Sequence, residues 1–239
     1  MRSASCHASA DMGHIASRTP KRGFIVAIDG PAGAGKSTLA RALARRLHLP
    51  YVNTGLMYRA VAARGLQREI GLEDAAGLAE IARSFRFSLQ PRRTVVELAI
   101  DGKPAGSSLT SREVEAAVSR TSSHPEVRAV MRAEQRKLGA DGCVMEGRDI
   151  GPVVFPDADV KIFLSALPRE RARRRARERG GASAAAEAVA RRDALDGRTN
   201  PLEPAPDATV LDTTRLNPRQ VLARAQELVE TTRERKAGQ

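Results

Sequence analysis

The sequence is poor in the residues that build several common kinds of binding site. It contains no Trp, and aromatic residues make up 3% of it, so few side chains could stack on the bases of a nucleic acid. Cys6 and Cys143 are far apart, and neither has a Cys or His neighbour at zinc-ligand spacing. No apolar run approaches the roughly 18 residues that a membrane-spanning helix needs. These shortages predict a reduced, cytoplasmic protein with no disulfide framework, no zinc site and no membrane span.

Positive charge, in contrast, is abundant. A formal charge of +12 invites the hypothesis of a nucleic-acid-binding protein, so its location along the chain matters. Residues 1–22 and 168–198 have net charges of +3 and +5, so these two segments hold most of the excess. A site for four or more phosphate groups also needs concentrated arginine. The charge therefore predicts an anionic ligand without implying a nucleic acid.

The stretch from Phe24 to Thr38 joins a short apolar run to a glycine-rich turn with the phosphate-loop pattern G-x-x-x-x-G-K-[ST]. Its glycines would let backbone N–H groups converge on phosphate oxygens, Lys36 would place its charge near the outer phosphates, and Ser37 would offer a hydroxyl to Mg²⁺. Leucines recur every four residues from Leu39 to Leu47, which predicts a helix whose N-terminus faces the ligand. The predicted nucleoside-triphosphate site consists of Gly30, Pro31, Ala32, Gly33, Ala34, Gly35, Lys36, Ser37 and Thr38.

The rest of the pattern is typical of an α/β protein. Short apolar runs that suit buried parallel strands recur at 51–52, 143–145, 159–164 and 209–212. Residues 66–110 differ, because they hold a short helix and three strand-like runs, the last two joined by the hairpin signal Asp101-Gly102. We therefore expect a parallel central sheet between two layers of helices, with a small antiparallel sheet inserted at 66–110.

Two segments fall outside this core. Residues 1–22 lack both periodicity and the apolar region of a secretory signal, which predicts a disordered tail, or a shorter one if Met12 is the true start. Residues 168–198 combine arginines with the pair Gly180-Gly181, which predicts a mobile helical lid over the phosphates; a solvated basic helix is the alternative. The predicted folded domain covers 23–239.

Two groups of polar residues follow predicted strands. Thr54, Tyr58 and Arg59 come directly after the run at 51–52, where they would form a second anion pocket unless Tyr58 only packs and Arg59 is only solvated. The turn 146–151 places Arg148 and Asp149 at the carboxyl end of a parallel strand, where open α/β sheets bind ligands.

With these pieces in this order, the chain resembles the bacterial cytidylate kinases, a family of nucleoside monophosphate kinases, from about Phe24 to Val229. The motifs that carry the resemblance are GPAGAGKST at 30, NTGLMYR at 53, SREVEAAVS at 111, PEVR at 125, EGRDIGPVVFPDADVKIFL at 146 and VLDTT at 210. The resemblance implies a P-loop kinase fold, ATP as phosphoryl donor with Mg²⁺, CMP or dCMP as acceptor, a role in pyrimidine nucleotide metabolism, and a monomer without nucleic-acid partners. The chain departs from the family pattern at Asn53, where Asp is usual, and at Leu195, where Arg is usual.

The resemblance also implies roles residue by residue. The residues that would grip the phosphate and ribose of the acceptor are Thr54, Tyr58, Arg59, Arg148 and Arg192, with Asp196 and Arg198 from the lid. Those that would read cytosine are Ser119, Arg128 and Asp149. Those that would neutralise charge during phosphoryl transfer are Lys36, Arg148, Arg174, Arg175 and Arg192. Two alternatives stay open: a kinase of another small acceptor such as UMP or shikimate, and a P-loop ATPase stimulated by nucleic acid.

Overall fold

The computed structural model describes residues 23–179, 190, 193–197 and 203–238. The predicted tail, Arg192, Arg198 and most of the second half of the predicted lid lie outside these residues. The strands are β1 Ile25–Asp29, β2 Tyr51–Asn53, β3 Phe87–Arg92, β4 Val95–Ile100, β5 Lys103–Pro104, β6 Cys143–Glu146, β7 Val160–Ser165 and β8 Thr209–Asp212. The helices are α1 Lys36–Leu47, α2 Thr54–Gln67, α3 Ala75–Ser84, α4 Arg112–Thr121, α5 Pro125–Gly139, α6 Pro168–Arg179 and α7 Pro218–Ala237.

The strands form one mixed sheet in the order β3-β4-β2-β6-β1-β7-β8, with β5 paired to β4. From β4 to β8 every neighbouring pair is parallel. The carboxyl ends of β1, β2 and β6 therefore lie at one edge of the sheet. The phosphate loop, the start of α2 and the turn after Glu146 follow those three ends, so the topology gathers all three predicted motifs at that edge.

The core explains why β1 is an unbroken apolar run. All five of its residues are buried, and their side chains alternate between two helical layers. Val26 and Ile28 belong to a cluster with residues of α1 and α7, whereas Ile25 and Ala27 pack with Met145 of β6 and its neighbours on the other face. Helices α2 to α5 form a further cluster that meets this second face through α5. The predicted arrangement of a parallel sheet between two helical layers is confirmed.

The insert differs from the prediction in one respect. Strands β3 and β5 each pair antiparallel with β4 as expected, and Asp101 and Gly102 turn with φ of 49° and 73°. They do not form a separate small sheet, because Glu97 of β4 pairs in parallel with Tyr51 of β2 and so extends the central sheet. An unpaired edge of β2 would leave backbone N–H and C=O groups without partners, and β4 covers it. A separate insert sheet was therefore the wrong prediction.

Smaller boundaries also differ. Strand β1 begins at Ile25 rather than Phe24, β3 continues through Pro91 into a two-residue turn, and α7 ends at Ala237. Helices α4 and α5 are separated before Pro125, which lies in the first turn of α5. Over the described ranges, no helix has the length and apolar character needed to cross a membrane.

Candidate active site

One large cavity, of about 880 Å³, opens at the carboxyl edge of the sheet. Its walls come from the phosphate loop, the first turns of α2, the turn after β6, the lid helix α6 and the start of α7. Most predicted site residues line it, namely Ala32, Gly33, Ala34, Gly35, Lys36, Ser37, Thr38, Thr54, Tyr58, Arg59, Arg128, Arg148, Asp149, Arg174, Arg175 and Asp196. The structure thus brings the predicted donor and acceptor residues around one space of a size typical for ligand sites.

The phosphate loop has the backbone that its glycines predict. Gly30, Gly33 and Gly35 all adopt positive φ, at 139°, 76° and 96°. A Cβ at Gly33 would also lie 3.0 Å from the carbonyl oxygen of Arg171, so the lid helix approaches the loop directly. Lys36 is buried, and its Nζ donates to the carbonyl oxygens of Gly30 and Pro31, each at 2.8 Å. The lysine charge is therefore held beside the loop that would receive the phosphates.

Lid helix α6 contacts the loop through two arginines with different surroundings. Arg171 is buried, and its Nη1 donates both to the Ala32 carbonyl at 3.2 Å and to Asp193 at 2.6 Å. Arg174 donates to Thr213, which in turn donates from its Oγ1 to the Ala34 carbonyl at 3.1 Å. Because both arginines face the loop, α6 is more than the solvated basic helix of the alternative prediction.

Asp29 links the two halves of the site. It ends β1, and its carboxylate accepts from the backbone N–H groups of Ile150 and Gly151, at 2.8 and 2.7 Å. These residues directly follow Arg148 and Asp149, so the carboxylate fixes the turn that carries both. Burial raises the pKa of Asp29 to about 6, although the two backbone hydrogen bonds act in the opposite direction.

The arginines of the acceptor side are paired with carboxylates. Arg148 donates from Nε to Asp196 Oδ2 at 2.8 Å, across 48 residues of chain. Glu115 of α4 accepts from Arg59 of α2, and also from Arg175 of the lid helix at 3.1 Å. An incoming phosphate would meet guanidinium groups that are already gathered and partly neutralised. Glu115 is thus a site residue that the sequence analysis missed.

Around the start of α2, one buried hydroxyl is satisfied and another is not. Thr54 donates to the Glu146 carbonyl at 2.8 Å, and the Glu146 carboxylate accepts from Tyr51 at 2.5 Å. The Tyr58 hydroxyl is buried in the cavity wall beside the side chain of Gln135, and within the described residues it makes no hydrogen bond of ordinary length and angle. Burial raises the pKa of Tyr58 to about 12, so this hydroxyl keeps its proton at neutral pH and can donate it to a ligand.

Asp149, the predicted reader of the base, is held by two arginines of α5. Its Oδ2 accepts from Arg128 Nη2 at 2.7 Å, and from Arg132 Nη2 and Nε at 2.7 and 3.1 Å. Arg128 also donates to the Ser122 carbonyl at 3.3 Å and lines the cavity. Arg132 was not predicted, although its position four residues after Arg128 places both on one face of a helix.

Three predicted residues do not line the cavity. Ser119 is buried on α4, where Ser122, one turn later, takes the position in the wall. Gly30 and Pro31 lie behind the loop as acceptors for Lys36. Arg192 and Arg198 lie outside the described residues, and the roles given to the site residues stay predictions.

The family-level comparison agrees with this geometry. The model of the family described as cytidylate kinase matches residues 26–231, which run from the first strand into α7. The chain belongs to the cytidylate kinase family. The cytidylate kinase of Geobacillus kaustophilus is 43% identical over 218 residues, covering 87% of this chain and 97% of that protein. The cytidylate kinase of Citrifermentans bemidjiense is 42% identical and covers 89% and 93%.

A further relative shows that this unit also occurs within longer chains. A bifunctional pantoate ligase/cytidylate kinase of Synechococcus is 42% identical over 215 residues, which are 85% of this chain and 40% of that protein. The range that matches the cytidylate kinase family contains the phosphate loop, the acceptor motifs and the lid helix of this chain. The resemblance stated from the sequence is confirmed at the level of the family.

Proposed function

We propose that this member of the cytidylate kinase family transfers the γ-phosphoryl group of ATP to CMP or dCMP, giving ADP and CDP or dCDP. The observation that carries the proposal is the shared cavity, in which the phosphate loop faces Arg59, Arg148 and Asp149. A P-loop ATPase acting on nucleic acid would not need a base-reading carboxylate in the same enclosed space. The family membership favours a monophosphate acceptor as well.

Phosphoryl transfer here needs alignment and charge neutralisation more than proton transfer. The phosphate of CMP has a second pKa of about 6, so at neutral pH it is largely dianionic and can attack without a general base. Lys36 would neutralise the outer phosphates of ATP, while Arg59 and Arg148 would hold the acceptor phosphate in line with them. Arg174 and Arg175 of the lid helix would cover the transferring group and help to exclude water.

Selectivity for cytosine follows from Asp149. The exocyclic amine of cytosine donates a hydrogen bond that a carboxylate accepts, whereas uracil presents an acceptor oxygen at that place. Because Asp149 is only about 10% exposed, a base that does not donate to it would lack a buried, charge-assisted hydrogen bond that cytosine makes. A site of this kind can reject such an analogue by about 10⁴-fold.

The residues at the loop suit Mg²⁺. The Ser37 hydroxyl lies in the first turn of α1, and it shares the cavity with the Glu146 carboxylate and the Asn53 amide, all oxygen donors that a hard cation accepts. The described residues hold no cluster of three or more His, Cys, Asp or Glu side chains suited to a metal. Mg²⁺ in kinases keeps water and nucleotide phosphates as ligands, so Ser37 with at most one carboxylate is sufficient. Bound there, the ion would neutralise charge on the phosphates of ATP.

The proposal is tested by the release of ADP from ATP and Mg²⁺ with CMP, dCMP, UMP, AMP and GMP supplied separately, each with and without RNA. Strong turnover with CMP and dCMP alone is the expected result. Equal turnover with UMP would mean that Asp149 does not read the base. ADP release that ignores every monophosphate and rises with RNA would replace the proposal by the ATPase alternative, and its binding would weaken steeply with salt. A cytoplasmic location and a monomeric state remain predictions of the sequence.

A further inference from the structure

The two arginines that hold Asp149 differ in what else they do. Arg128 lines the cavity and donates to both Asp149 and the Ser122 carbonyl. Arg132 does not line the cavity, and each of its hydrogen bonds recorded within the described ranges goes to Asp149. The side chain of Arg132 is 28% exposed, against 8% for Arg128. Arg132 thus reaches the carboxylate from the solvent side, whereas Arg128 reaches it from within the site.

The geometry of Arg132 restrains the carboxylate more than a single ion pair would. Nε and Nη2 both donate to Oδ2, so the planar guanidinium grips one oxygen with two of its donors. The three hydrogen bonds that the two arginines donate to Asp149 all end on Oδ2. The other oxygen, Oδ1, receives none of them and is the one left for a ligand. A carboxylate held at one oxygen from two directions has little freedom to rotate.

Two guanidinium groups on one carboxylate also carry an electrostatic cost. Arg128 and Arg132 are four residues apart on α5, where like charges repel, and Asp149 is the anion that offsets this repulsion. A purely structural anchor would need only one arginine. The second arginine matters when Arg128 donates some of its hydrogen bonds to a bound base. Arg132 then keeps Asp149 in place.

We propose that Arg132 is a positioning residue for base recognition, which acts through Asp149 and sets the preference for cytosine. This inference rests on the proposed function, because it assigns the means by which the same site selects its acceptor. Arg132 touches neither the substrate nor the reacting phosphates. Its effect should therefore fall on acceptor affinity and selectivity, with the chemical step and the donor site left unchanged.

The test is steady-state kinetics of the full chain with CMP and UMP as acceptors. For Arg132→Met we expect the KM for CMP to rise roughly 5- to 30-fold, because a partly exposed charge-assisted contact is lost. The ratio of kcat/KM for CMP over UMP should fall by a similar factor, while kcat and the KM for ATP stay within about 2-fold. Arg132→Lys should recover part of the loss, since lysine restores the positive charge but not the two donors of the planar guanidinium.

Two further variants separate positioning from a general effect on the fold. In an Asp149→Ala background, Arg132→Met should change the KM for CMP by less than about 2-fold, because the acceptor through which it acts is gone. Lys137→Met, on the same helix but 72% exposed and paired with Glu134, is the matched control and should behave as wild type. Melting temperatures of all variants report on folding, and Arg132→Gln replaces Arg132→Met if that variant does not fold.

Each outcome decides the inference. An unchanged KM and selectivity in Arg132→Met would overturn it, as would an equal loss in the Asp149→Ala background or a parallel loss in kcat and ATP binding. In those cases the wild-type preference for CMP would still stand, so only the role of Arg132 would fail. A wild-type chain that shows no preference for CMP would overturn the proposed function and this inference together, which the first measurement on the wild type reveals.

Discussion

The donor and acceptor sides of the cavity are built in different ways. The donor side is nine consecutive residues, 30–38, whose backbone turns at three glycines to form a phosphate nest. The acceptor side consists of side chains from α2, α4, α5, the turn after β6 and the lid helix. Local backbone conformation forms the donor side, whereas ion pairs between residues far apart in the sequence form the acceptor side.

This difference has a consequence for ligand binding. On the donor side Lys36 donates to the backbone carbonyls of Gly30 and Pro31, which belong to the same short loop. On the acceptor side Arg59, Arg148 and Arg175 hold Glu115 or Asp196. A phosphate that binds there must share or replace those carboxylates. We therefore expect acceptor binding to depend on a network of residues, and donor binding on a short motif.

The largest expected effect belongs to the donor side. Replacing the buried lysine by Lys36→Met removes the point charge beside the outer phosphates, and we expect kcat to fall about 10²- to 10³-fold. Single-turnover kinetics with saturating CMP measure this loss. The exposed Arg46→Met on the same helix serves as the control and should keep wild-type turnover. Undiminished turnover in Lys36→Met would show that the nest alone provides the electrostatic stabilisation.

The carboxylate that joins the two sides predicts a pH dependence of stability. The pKa of Asp29 is raised to about 6 in the fold, so ionising this carboxyl costs more free energy in the native state than in the unfolded chain. The free energy of unfolding should therefore fall as pH rises from about 4 to 7. The expected decrease is about 3 kcal/mol. Urea denaturation of the wild type and of Asp29→Asn across this range measures it. Parallel curves for the two proteins would mean that the decrease does not come from Asp29.

On the acceptor side, Arg148→Met should act on CMP and leave ATP unaffected. Loss of one charge-assisted contact predicts a decrease of roughly 10- to 100-fold in kcat/KM for CMP. Isothermal titration with ATP alone should give the wild-type affinity, and the exposed Arg83→Met of α3 is the control for charge removal. If ATP affinity decreased as much as CMP turnover, the division between the two sides would not hold.

The smallest expected effect concerns the buried hydroxyl without a partner. Tyr58→Phe removes a neutral donor that a ligand would satisfy, so the KM for CMP should rise by about 3- to 10-fold. The free energy of unfolding should change little, because in the ligand-free chain the hydroxyl lies beside Gln135 without a hydrogen bond of ordinary length and angle. Thermal unfolding with and without CMP separates the two effects. A destabilised ligand-free variant would instead identify Tyr58 as a structural residue.

The sequence by itself determined the donor side and the order of the elements. The phosphate loop is contiguous, and only glycine adopts its positive φ values without strain, so residues 30–38 predict their own conformation. Apolar runs likewise predict the buried strands, because the run of side chains that two-sided burial requires is contained in a short stretch of sequence.

Only the tertiary structure decided which charges meet. Glu115 lies 56 residues from Arg59 in the chain, and Arg132 could be read as one more exposed arginine of a basic protein. The pairing of β4 with β2, which corrected the prediction of a separate insert sheet, depends on an edge that exists only once the sheet has formed. The physical reason is the same in each case: a local pattern specifies backbone conformation, whereas ion pairs and sheet edges depend on where the folded chain brings distant residues together.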